Sequence, residues 1–147
     1  MISNPRYGWC KFKLKEFEGS PSYLTNVPLD LLEAFINYWT NTACSSVHFD
    51  EEGTEFTLVV NPNSIFIIEE KEEPKLIYID ECMQNLTLEL IDDIEKDING
   101  WINFITNDEE EDINKQRNAL MSNLITLKSI VKDKNIKHIE LNYEEER

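Results

Sequence analysis

The sequence predicts an α+β fold: an antiparallel sheet of about five strands with one N-terminal helix and a C-terminal two-helix hairpin. Short segments between residues 9 and 80 alternate apolar and polar side chains, the mark of strands with one wet face. The connections between them are too short for parallel crossovers, so neighbouring strands should run antiparallel. A proline-led stretch near residue 28 and two long stretches after residue 83 instead repeat apolar residues every three or four positions, as helices do.

The first strand should cover Trp9–Phe17, where Cys10, Phe12 and Leu14 alternate with Lys11, Lys13 and Lys15. Glu18-Gly19-Ser20-Pro21 ends it. Thr25 and Asn26 are cap candidates just before Val27-Pro28, and a proline suits the first turn of a helix. That helix should run from about Pro28 to Trp39, with Leu31, Leu32, Phe35, Ile36 and Trp39 on one face. Val47 and Phe49 then lead into the turn Asp50-Glu51-Glu52-Gly53, and Phe56, Leu58 and Val60 form the return strand. Asn61-Pro62-Asn63-Ser64 turns the chain into Ile65–Ile68. That run is apolar on both faces, as in a central strand covered on two sides. Lys71-Glu72-Glu73-Pro74 turns it again, and Leu76–Ile79 closes the meander.

Leu88, Ile91, Ile94, Ile98, Trp101 and Ile105 continue one helical stripe, interrupted only by Gly100. Ile113, Arg117, Leu120, Leu124, Leu127 and Val131 carry the next, after the acidic connection Asn107–Asp112. Two such helices joined by a short loop should form an antiparallel hairpin, with Leu120, Leu124 and Leu127 facing Ile91, Ile94 and Ile98. Residues 136–143 read equally well as a last strand or as a tail. The 147 residues suit one domain, with helix and meander over 1–80, the hairpin over 83–134 and the remainder over 135–147.

Charge narrows the function. With 14 Lys+Arg against 29 Asp+Glu, the net charge is −15, which opposes binding to a nucleic-acid backbone or an anionic membrane and favours a basic partner. The acid is concentrated: residues 50–112 carry 20 acidic and three basic residues, a net of −17. Glu89, Asp93 and Asp97 even stack at intervals of four on one helix face, where each like-charge pair costs roughly 0.2–0.5 kcal/mol. Interspersed lysines would have been more stabilising there.

Catalytic signatures are missing. His48 and His138 belong to no nucleophile–base pattern, and His48, between Val47 and Phe49, reads as a partly buried packing residue. There is no Gly-x-Ser-x-Gly and no phosphate-binding glycine loop. Neither Asp50–Gly53 nor Asn107–Asp112 has the ligand order of an EF-hand. Cys10, Cys44 and Cys82 are too scattered for zinc or a disulfide framework. The expectation is therefore a non-enzyme with no cofactor and no metal. The start of the chain lacks a signal-peptide core, and the longest apolar run, Ile65–Ile68, has four residues, so a cytoplasmic protein without a membrane segment is expected.

Gly8-Trp9-Cys10-Lys11-Phe12, Phe17-Glu18-Gly19, Ser22-Tyr23-Leu24-Thr25-Asn26-Val27-Pro28 and Phe49-Asp50-Glu51-Glu52-Gly53-Thr54-Glu55-Phe56 resemble small acidic bacterial immunity proteins. These belong to polymorphic-toxin loci, including contact-dependent growth inhibition. The likeness spans roughly the first 80 residues plus the general helical tail. It implies a cytoplasmic inhibitor that binds one cognate toxin domain, often a basic nuclease, and blocks its active site or an adjacent surface. The Asp50–Glu55 turn is the shared segment. With the charge distribution, this makes Asp50, Glu51, Glu52, Glu55, Glu69, Glu70, Glu72 and Glu73 the candidate partner-binding residues. A rival of another class, an acidic nucleic-acid mimic that blocks a DNA-binding or phage-defence protein, would use the same electrostatics. An enzyme would instead need a deep pocket holding His48 with two carboxylates.

Overall fold

A computed structural model describes residues 1–105 and 109–141. The fold class is α+β, but among the described residues two antiparallel sheets replace the single sheet of about five strands, and four α-helices replace one helix plus a hairpin. The first sheet has the order β1 (Ile2–Arg6), β2 (Trp9–Leu14), β3 (Phe17–Gly19). Next come α1 (Val27–Asn37) and a π-helical turn over Tyr38–Thr42. The second sheet is the expected meander, β4 (Ser45–Asp50), β5 (Glu55–Val60), β6 (Ile65–Glu70) and β7 (Lys75–Ile79), in that order. The helices α2 (Met83–Lys96), α3 (Ile98–Asn103) and α4 (Glu110–Asp133) complete it.

Each departure from expectation has a local cause. β1 shows no two-residue period because its register shifts between Ser3 and Arg6, where Asn4 takes a φ of 54°. The strand expected over Trp9–Phe17 stops at Leu14, because Lys15, at a φ of 55°, turns the chain so that Phe17 pairs back with Leu14. The alternation itself holds, with Cys10, Phe12 and Leu14 buried. The stripe from Leu88 to Ile105 breaks at Asp97 into α2 and α3. There the Asp97 carboxylate accepts a hydrogen bond from Arg6 at 2.9 Å, and Pro5 packs so close that a side chain at Gly100 would stand 2.7 Å from its Cγ. Gly100 is thus required by the close approach of β1.

The expected pairing of α4 with α2 is also corrected. Leu120, Leu124 and Leu127 are buried, but α4 lies chiefly along α1 and touches α3 and α2 less. The acidic stripe is likewise explained internally. The amino group of Met1 bonds to the carboxylates of Glu89 and Asp93, the Ile2 amide donates to Asp93 at 3.1 Å, and Arg6 holds Asp97. Of the open segment 136–143, residues 136–141 form no strand, and Asn142 and Tyr143 lie outside the described residues. Asn85 clamps this segment, donating to the Ile139 carbonyl and accepting from its amide, both at 2.7 Å.

The two sheets meet through phenyl rings. Phe12 lies 5.1 Å from Phe49 and 5.2 Å from Phe56, and Phe17 lies 4.9 Å from Phe56 (centroid distances). A Cβ at Gly19 would come within 2.6 Å of the Phe56 ring, so the glycine allows the contact. At one sheet edge the Ser22 amide donates to the Asp50 carbonyl at 2.8 Å. The inner face of the β4–β7 sheet is therefore dry: Val47, Phe49, Phe56, Leu58, Val60, Ile65, Ile67 and Ile79 are buried. No helix among the described residues is long and apolar enough to cross a membrane.

Candidate functional site

The meander runs up and down in strict order, so its first and third turns emerge at the same end of the sheet. These are the two acidic turns, 51–54 and 71–74. The sequence-predicted acids are thereby brought together from two places 20 residues apart. Register sharpens this. Asp50 pairs with Glu55, and Glu55 pairs with Glu70, so three carboxylates stand side by side across β4, β5 and β6. Like charges directly opposite each other destabilise an antiparallel pair. A hydrogen bond with Glu70, partial desolvation and the Glu70 charge raise the Glu55 pKa above its ordinary value.

The eight predicted acids play different parts. Asp50 accepts the Glu52 amide at 2.7 Å, and Glu51 accepts the Ser20 amide at 2.8 Å and the Thr54 hydroxyl at 3.1 Å, so these two hold the turn and tie it to the first sheet. Glu69 belongs to the inner side of β6 and pairs with Lys71 at 3.3 Å. Glu52, Glu70, Glu72 and Glu73 are exposed, and among the described residues no cation stands within ion-pairing distance of them. These four, with Glu55, supply the outward field.

Below the carboxylate row lies an apolar surface that sequence reasoning did not assemble. Ile65–Ile68 was expected to be covered on two sides, yet only its inward residues Ile65 and Ile67 are buried. Phe66 and Ile68 face outward and are half-buried, alongside half-buried Val59 on β5. On β7 the outward Leu76 and Tyr78 are 49% and 71% exposed, and the Tyr78 ring sits 6.0 Å from that of Phe66. Register places these residues in adjacent rows: Thr57, Ile68 and Leu76, then Val59, Phe66 and Tyr78. A contiguous apolar face with a charged rim is the usual anatomy of a protein-docking surface. The signal in the sequence was the double-sided apolar run itself, which looks the same whether the second cover is a helix or another protein.

His48 is exposed on this outer face, not packed as expected. Its Nδ1 lies 3.4 Å from the Thr57 hydroxyl and its Nε2 3.4 Å from Glu55. An open depression of about 360 Å³ between α1 and β4 includes His48, Asp30 and Glu33, but the ring nitrogens turn away from it, toward β5. Asp30 has its pKa raised, first by burial and then by Glu33. Burial pushes the Cys10 thiol up to about 12, so it stays protonated at neutral pH. Among the described residues, no three His, Cys, Asp or Glu side chains cluster as metal ligands. Comparison with protein-family models, curated proteins and solved structures finds no match to this chain.

Proposed function

We propose that this chain is an immunity-type inhibitor that neutralises a cognate basic toxin domain, such as a nuclease, docked at the acidic end of the β4–β7 sheet. The reading assigns it no catalytic role and no cofactor, and places its action in the cytoplasm. The observation that carries it is the cross-strand row Asp50, Glu55, Glu70 bordering an uncovered apolar face. Stability alone would favour a lysine in that row. Carboxylates at this sheet end with no cation beside them among the described residues, Glu52, Glu70, Glu72 and Glu73, raise the association rate with a basic partner and reject acidic ones. Outward Phe66, Leu76 and Tyr78 supply the apolar area a stable complex needs behind that steering field.

Affinity capture with the product of the neighbouring gene tests the proposal. That product should be a basic domain that arrests growth when expressed alone, and co-expression of this chain should restore growth. A neighbouring product that is harmless, or that is captured without being neutralised, overturns the reading.

A further inference from the structure

β7 is the last strand of its sheet, and among the described residues no strand pairs with its other side. Alternate residues of an antiparallel edge strand direct their N–H and C=O groups outward, where they template a further strand. Natural edges are usually guarded by charge, proline, a bulge or cover. The opposite edge of this sheet is covered where Ser22 binds the Asp50 carbonyl. On β7 the guards, Pro74 and Lys75, stand only at its start, and Leu76–Ile79 carries no charge, proline or bulge.

Two features beside this edge say what would fit it. On its inner side a groove of about 510 Å³ separates β7 from the β2–β3 turn, lined by Glu16, Phe17, Glu18 and Glu69 against Lys75 and Ile77. On its outer side stand exposed Leu76 and Tyr78. The ends are acidic as well, with Glu72 and Glu73 before the strand and Asp80 and Glu81 after it. Lys13 reaches Glu18, Lys71 reaches Glu69 and Lys15 reaches Glu81, at 3.6, 3.3 and 3.5 Å. Among the described residues no cation stands within ion-pairing distance of Glu16, Glu72, Glu73 or Asp80. A second copy of the chain is a poor occupant. Antiparallel self-pairing about Ile77 would set Glu73 against Glu81 of the other copy at both ends, between chains that each carry −15.

We infer that the edge of β7 accepts an extended segment of a basic partner as a fifth strand. Its side chains would alternate, lysine or arginine toward the groove acids and apolar residues over Leu76 and Tyr78. The inference rests on the basic partner proposed above and adds how that partner is held.

The probe is a blocked ten-residue peptide of alternating lysine and valine, with a lysine–proline peptide of equal charge as control, since proline removes every second donor. Amide exchange of residues 75–79 in the full chain is read at low salt. The lysine–valine peptide should slow exchange of the outward β7 amides by about tenfold or more, and the proline peptide should not. Equal binding of both peptides without β7 protection overturns strand addition and leaves the acidic-surface reading standing. Failure of both to bind counts against the two together. Concentration-dependent protection of β7 in the chain alone would make a second copy the occupant and overturn the inference.

Discussion

The side-chain amides of Asn26 and Gln116 form a reciprocal pair: Asn26 Nδ2 donates to Gln116 Oε1 at 3.0 Å, and Gln116 Nε2 donates to Asn26 Oδ1 at 2.9 Å. Asn26 stands at the start of α1, and Gln116 is a buried position on α4. One polar ring thus fixes how the long helix sits on the helix beside the meander. Removing one partner orphans the other, which costs about 1–3 kcal/mol when the remaining group is buried. Asn26→Ala should therefore lower stability by that amount in denaturant unfolding. Adding Gln116→Leu to the same variant should recover part of the loss, because paired apolar replacement removes the orphan. If the double variant loses the sum of both single changes, the two amides act independently.

The phenyl contact between the sheets predicts a sharper penalty. Phe56 is fully buried among Phe12, Phe17 and Phe49, so it cannot yield to a Cβ that would stand 2.6 Å away. Gly19→Ala should cost about 1–3 kcal/mol through overpacking. A Gly19→Ala/Phe56→Leu variant should be less unstable than the two single effects added together. Thermal unfolding of the three variants gives the comparison.

How far the sequence revealed this arrangement depended on what each residue answers to. Cys10, Phe12 and Leu14 are buried by their own strand's pleat, so their alternation was legible, and the four meander strands were legible for the same reason. β1 was not, because Asn4 breaks its period and its partners, Glu89, Asp93 and Asp97, lie some 90 residues away. Those three acids looked like unspent charge until the chain start and Arg6 were placed against them. The acidic turns were found individually, but their meeting at one sheet end required the meander's order. Phe66 and Ile68 misled: an apolar side chain that faces outward on a sheet is spelled like one that faces the core.

The carboxylate row makes a statement about pH. Glu55 has a raised pKa in the folded chain, chiefly through its hydrogen bond with Glu70. A carboxyl whose folded pKa exceeds its unfolded value binds more protons when folded, so its contribution to stability falls as pH rises between those two values. Glu70→Gln removes the charge and lets an amide donate to the Glu55 carboxylate, so the Glu55 pKa should drop toward its ordinary value. Carboxyl titration followed by NMR reads it directly. An unchanged Glu55 titration in that variant would mean that Glu70 is not its partner in solution.

The division of labour among the eight acids predicts which of them matter for association. Glu51 holds the Ser20 amide and the Thr54 hydroxyl, so Glu51→Lys should destabilise the fold itself, losing two solvent-exposed hydrogen bonds worth about 0.5–1.5 kcal/mol each. Among the described residues no cation stands beside Glu52, Glu72 or Glu73, and they repel their neighbours, so replacing them with lysine should leave stability unchanged or slightly improved. Charges at an interface rim act mainly on the rate of encounter. The Glu52→Lys/Glu72→Lys/Glu73→Lys variant should therefore bind the basic neighbouring-gene product more slowly, with a smaller change in dissociation. Wild-type association should also slow with salt, as the screening length shrinks from about 10 Å at 0.1 M to about 3 Å at 1 M. The variant, with the field already weakened, should show a shallower salt dependence. Equal rates for the two proteins at low salt would assign the acidic end to solubility and leave Phe66, Leu76 and Tyr78 to carry recognition by apolar contact alone.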